Sequence, residues 1–92
     1  MGLITQTQEA YYNRTQTFTG DGSDRTFDLL TSSFTTLPTA ATQFQIAVNG
    51  KLINTANYSY SSPTITFSGN TNNTDVLESY GAPKTGLSIV VK

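Results

Sequence analysis

Phe44, Ile46 and Val48 alternate with Gln45 and Ala47, the period of two that puts one set of side chains on a single face of a sheet. The pair that follows, Asn49-Gly50, suits a type I′ turn, which needs positive φ at both central positions. Lys51-Leu52-Ile53 is then the return strand of a tight hairpin. Tyr58-Ser59-Tyr60 and Thr64-Ile65-Thr66-Phe67 alternate in the same way around Ser61-Ser62-Pro63 and predict a second hairpin. Upstream, Thr17-Phe18-Thr19 and Arg25-Thr26-Phe27-Asp28-Leu29 flank Gly20-Asp21-Gly22-Ser23-Asp24. Gly20 and Gly22 supply backbone freedom and the acids supply local hydrogen bonds, so this stretch predicts a hairpin with a longer loop. After a turn at Pro83-Lys84-Thr85-Gly86, Leu87, Ile89 and Val91 mark a closing strand.

Other segments lack a period. Residues 31–42 hold Ser, Thr and Pro38 and read as a crossover between sheets, with Phe34 and Leu37 as plugs. Residues 69–74 read as a polar loop, and Asp75 to Tyr80 fits a short strand or a helical turn equally well. The first residues carry Leu3, Ile4, Tyr11 and Tyr12 among Thr, Gln and Glu without a strand or helix pattern.

Many short strands at close spacing predict an all-β fold, a small two-layer antiparallel β-sandwich or partly open barrel. The expected organisation is an extended N-terminal arm over residues 1–16 and a sandwich over 17–92. The expected inward set is Phe18, Phe27, Leu29, Phe44, Ile46, Val48, Leu52, Tyr58, Tyr60, Ile65, Phe67, Leu87, Ile89 and Val91. That is a modest core against the conformational entropy of the chain, so a homo-oligomer or a multi-copy assembly is expected to add stability. Leu3, Ile4, Tyr11 and Tyr12 have no place in this core and are expected to bind a partner.

Composition narrows the function. A chain of 92 residues makes one domain. With a net charge of -1 and 12% charged residues, it has no basic field to hold a phosphate backbone, so nucleic acid is not expected as a partner. The absence of Cys and His removes thiol nucleophiles, disulfides, zinc fingers and the usual imidazole acid/base. No apolar run approaches the roughly 18 residues of a membrane span, and Met1-Gly2-Leu3-Ile4 lacks a signal peptide's basic start. No membrane role is expected, and synthesis in a cytoplasm is. The 17 Thr residues, with abundant Ser and Asn, give short polar side chains that lose little entropy on contact with another protein.

Candidate chemistry is sparse. Asp21, Asp24 and Asp28 lie close in sequence but lack the later bidentate Glu of a calcium loop, and read as turn-forming and solvated acids. Asp75 and Glu78 are the pair to weigh for glycosidic acid/base work. With no aromatic cleft apparent, the expectation is no catalytic residue, no metal ligand and no cofactor. Tyr11, Tyr12, Tyr58, Tyr60 and Tyr80 offer flat faces for a sugar, although Tyr58 and Tyr60 share a strand face and read better as core or subunit contact. Asn13-Arg14-Thr15, Asn57-Tyr58-Ser59 and Asn72-Asn73-Thr74 match the glycosylation pattern by chance in a chain so rich in these residues.

The order Thr17-Phe18-Thr19-Gly20-Asp21-Gly22-Ser23, Thr26-Phe27-Asp28-Leu29, Ala47-Val48-Asn49-Gly50-Lys51-Leu52, Asn57-Tyr58-Ser59-Tyr60, Thr64-Ile65-Thr66-Phe67 and Leu87-Ser88-Ile89-Val90-Val91 resembles a small β-domain of tailed-bacteriophage virion proteins. That domain occurs in tail fibres, fibre-attachment segments and head-associated proteins. The likeness spans residues 17–92, with a longer stretch at 69–86 than the family's short link. The resemblance implies a rigid, non-enzymatic structural protein of the virion, made in the host cytoplasm. With no fibre tip or shaft after the last strand, the leading expectation is a capsid decoration or cement protein docking on the major capsid protein. The alternatives are a tail, neck or fibre-attachment adaptor contacting tail or neck proteins, and a carbohydrate-binding module.

Overall fold

The computed structural model describes residues 14–92. Seven strands run β1 (Gln16–Thr19), β2 (Thr26–Asp28), β3 (Ile46–Val48), β4 (Lys51–Leu52), β5 (Tyr58–Ser61), β6 (Thr64–Phe67) and β7 (Ser88–Val91). Two single 3-10 turns, Ala41–Gln43 and Thr55–Asn57, complete the regular elements among the described residues. The strands form a four-stranded sheet in the order β1-β7-β3-β4 and a three-stranded sheet in the order β2-β6-β5. All pairings are antiparallel. The two sheets pack on one apolar core and stay open rather than closing into a barrel, the all-β two-layer arrangement that the alternation predicts.

Both short hairpins form where the sequence puts them. Asn49 at φ 53° and Gly50 at φ 80° join β3 to β4, and Tyr58–Ser61 pairs with Thr64–Phe67 through Ser62 and a cis Pro63. One inward assignment in the first hairpin is corrected. Across a two-residue turn Val48 faces Lys51 and Ala47 faces Leu52, and Ile53 donates its N–H to Ile46 O at 2.8 Å. Residues opposite one another share a sheet face. Ile53 therefore joins Ile46 in the core at 3% exposure, while Leu52 turns outward and is 59% exposed.

The expected hairpin between β1 and β2 does not form. β1 pairs with β7 and β2 with β6, in different sheets. The intervening loop gives its backbone to the segment before β7: Gly20 N–H reaches Leu87 O at 2.9 Å, Gly22 N–H reaches Pro83 O at 3.0 Å, and Gly86 N–H reaches Gly20 O at 2.8 Å. It is an arch between layers, so Phe18 and Phe27 meet across the core with ring centroids 5.1 Å apart instead of lying side by side.

The aperiodic segments seal the open ends of the sandwich. Phe34 is fully buried and Leu37 packs against the core, the plugs expected of the crossover. Asp75 and the residues beside it make a single helical turn rather than a strand: the Val76 and Leu77 N–H groups turn back to Asn73 O at 3.2 and 3.0 Å, and Leu77 bridges to Pro83. Val76, Leu77 and Ala82 are buried there, three core residues that no periodicity marks. Gly81 makes the close fit possible, since a Cβ there, at φ 105°, would overlap the Ser68 backbone. Phe18, Tyr60 and Leu87 are only partly buried.

Candidate functional site

The carboxylates of Asp21, Asp28 and Asp75 are engaged in structure. Asp21 Oδ1 accepts from the backbone N–H of Ser23 at 2.8 Å and of Asp24 at 2.7 Å. These bonds hold its carboxyl below the usual carboxylate range. Asp28 Oδ1 accepts from the Thr64 hydroxyl at 2.7 Å, tying β2 to β6 at a register pair. Asp75 pairs with Lys51 at 2.6 Å, and the bond from that ammonium lowers its pKa. Glu78 closes the following turn through its backbone, with its N–H on Ala82 O at 2.8 Å. Among the described residues no three acids, His or Cys lie close enough together to hold a metal ion.

The described tyrosines, Tyr58, Tyr60 and Tyr80, do not form a platform. Tyr58 is buried beside Phe44 and Phe67, and that burial raises its pKa. Tyr60 packs edge-on to Phe44 at 4.9 Å and donates its hydroxyl to Pro38 O at 2.8 Å. Tyr80 is exposed, with its hydroxyl on Gly22 O. Asn57, in one of the glycosylation patterns, is 1% exposed and donates Nδ2 to Ser68 O at 3.2 Å, so its amide faces inward. A shallow depression of about 270 Å³ is lined by Leu52, Ile53, Asn54, Asn72 and Asn73. Its amides are occupied by neighbouring backbone: Asn73 accepts from Asn54 N–H at 2.8 Å and donates to Leu52 O at 3.2 Å.

The feature that remains is the outer face of the four-stranded sheet. Register places Thr17 opposite Val90, Val90 opposite Ala47, and Ala47 opposite Leu52. Inward neighbours Ile46, Val48, Ile89 and Val91 are buried, so this row points out. Val90 and Ala47 are half-buried and Leu52 is exposed. On one side lie Thr19, Ser88 and Asn49, and on the other Gln45 and Lys92, whose backbones exchange two hydrogen bonds of 2.8 and 3.0 Å. The face is thus an apolar row framed by short polar groups, with Lys92 at its margin. The sequence reading missed the row because it tracked only inward positions. Its signal was visible as apolar residues at the outward positions of β3, β4 and β7.

Arg14 stands at the edge of this sheet. It bridges to Phe34, lies over that ring at 5.8 Å, and donates to Gln43 O. The expected partner-binding residues Leu3, Ile4, Tyr11 and Tyr12 lie outside the described residues. The turn residues Gly20, Gly22, Asn49 and Gly50 sit at the arch and at the tip of the first hairpin.

Comparison of the chain with protein-family profiles, with curated proteins and with solved structures finds no match to any of them.

Proposed function

We propose that this chain is a non-enzymatic structural protein of a tailed-phage particle, a head decoration or cement protein that docks through its N-terminal arm and a sheet face. The observation that carries the reading is the outer face of the four-stranded sheet, an apolar Val90-Ala47-Leu52 row framed by Thr, Ser, Asn and Gln. Interfaces are depleted in charge at their centre and polar at their rim, which is the pattern here. Three of the acids, the groups an enzyme of this composition would need, serve a turn, a strand pair and an ion pair: Asp21, Asp28 and Asp75. The order of turn and strand motifs along residues 17–92 supplies the virion part of the reading.

The test is to purify phage particles that encode the chain, quantify it by mass spectrometry and locate it in a reconstruction of the particle. Regular copies on the head are expected. Copies at the neck, tail or fibre base would replace the cement reading with the adaptor, and absence from particles would overturn both.

A further inference from the structure

We infer that residues 1–13 of one copy of this chain lie across the outer face of the four-stranded sheet of a second copy, with Leu3 and Ile4 seated on the Val90-Ala47-Leu52 row. This rests on the docking reading above and names both the surface and its occupant.

Size selects the occupant first. Four strands and three side-chain rows cover roughly 400 Å² at ordinary sheet spacing, about half of what each partner of a stable globular pair buries. The face is too small to hold a second sandwich and large enough for one extended segment. Thirteen extended residues reach at most about 45 Å, and the sheet is only about 14 Å wide between its outer strand axes. The segment leaves the described part of the chain at Arg14, on the β1 edge of this same sheet, from which it can reach a second copy.

Chemistry selects it next. Leu3 and Ile4 are adjacent apolar residues among Thr and Gln, matching an apolar row with a Thr, Ser, Asn and Gln frame. Glu9 is the one charged side chain of the segment, and Lys92, at the margin of the face, carries the opposite sign. Residues 5–13 contain neither Gly nor Pro. A reversal onto the chain's own face would have Asn13 but no Gly or Pro to make its turn, whereas passage to a second copy needs no turn.

The chain has no cysteine, so single thiols can be placed cleanly. Full-length Ile4→Cys is mixed with full-length Leu52→Cys and treated with a short bis-maleimide. Thr17→Cys, on the same row, serves as a second acceptor, and Ser59→Cys, on the outer side of β5, as the control. The expected result is a heterodimer of twice the chain mass with Leu52→Cys and Thr17→Cys, at least severalfold above Ser59→Cys. Equal yields at all three positions would overturn the inference. So would an Ile4→Cys, Leu52→Cys double variant that links only within its own chain. Particle incorporation of Ile4→Asn separates the two readings. Loss of incorporation without the cross-link would place the arm on another virion protein, ending this inference and leaving the proposed function standing.

Discussion

The side-chain amide of Gln16, in β1, behaves as one more strand rung for the other sheet. Its Oε1 accepts from Leu30 N–H at 2.8 Å and its Nε2 donates to Asp28 O at 3.0 Å, with only 7% of the residue exposed. Both backbone groups face the edge of β2 away from β6, since it is the intervening Leu29 N–H that turns to the other side, to Pro63 O.

Gln16→Leu should leave that donor and acceptor without partners, at about 1–3 kcal/mol for each buried group that goes unpaired. A domain of this size loses about 4–8 °C of Tm per kcal/mol. A calorimetric Tm within a degree of the parent would show that water serves these groups as well as Gln16 does.

Gly50→Val should lower Tm by several degrees. The turn holds Gly50 at φ 80° with open space around it, so the cost is conformational, about 1–2 kcal/mol for an L side chain in the left-handed region. Gly22, at φ 81°, is under the same constraint, and its Cβ would also press on Thr85 Oγ1. Gly22→Ala should therefore cost a comparable amount. Parallel thermal melts of the two variants check both turns.

The β3–β4 register is tested by neighbouring substitutions of opposite outcome. Ile53→Ala removes a buried side chain and should cost about 2–5 kcal/mol, whereas Leu52→Asn, on the outer face, should stay within about 0.5 kcal/mol. Urea unfolding of both gives the comparison. The reverse order would mean that the strand has slipped by one residue.

Acid should weaken the contact between β4 and the loop that follows β6. Because Lys51 lowers the folded pKa of Asp75 below its usual 3.8, the pair contributes above that value and is lost as pH falls through the folded pKa. The Tm difference between the parent and Asp75→Asn should be flat from pH 7 to about pH 5 and shrink towards pH 2. It should also shrink in high salt, since both side chains are about half exposed. A difference that persists at pH 2 would assign the effect of Asp75 to something other than its charge.

Local chemistry was legible wherever partners are close in sequence. The Asn49-Gly50 turn, the Ser62-Pro63 turn and their strands follow from period two and turn residues alone. Phe18 and Phe27 show the limit: alternation looks the same in a hairpin and in an arch, and only the bonds from Gly20 and Gly22 to the Pro83–Leu87 segment separate the two. Leu52 was legible and misassigned, since a two-residue turn ties Val48 to Lys51 and so fixes Leu52 outward. Val76, Leu77 and Ala82 were not legible, because their burial comes from a loop folded over the end of the sandwich, where no period operates. Of the candidate site, the Thr17-Val90-Ala47-Leu52 row needed strand order as well as sequence, for β1 and β3 both meet β7.

Among the described residues, the strand that holds Gln16 has β7 as its one sheet neighbour, and residues 1–13 lie upstream of it beyond Arg14 and Thr15. Tension carried by that segment would enter the domain along the axis of β1. It would load the four register pairs of the β1–β7 ladder in shear, all at once, rather than peel them open one by one. The two Gln16 bonds to the end of β2 would pass part of the same pull to the second sheet. Such a pull would thus strain both layers of the sandwich together before the first strand could leave.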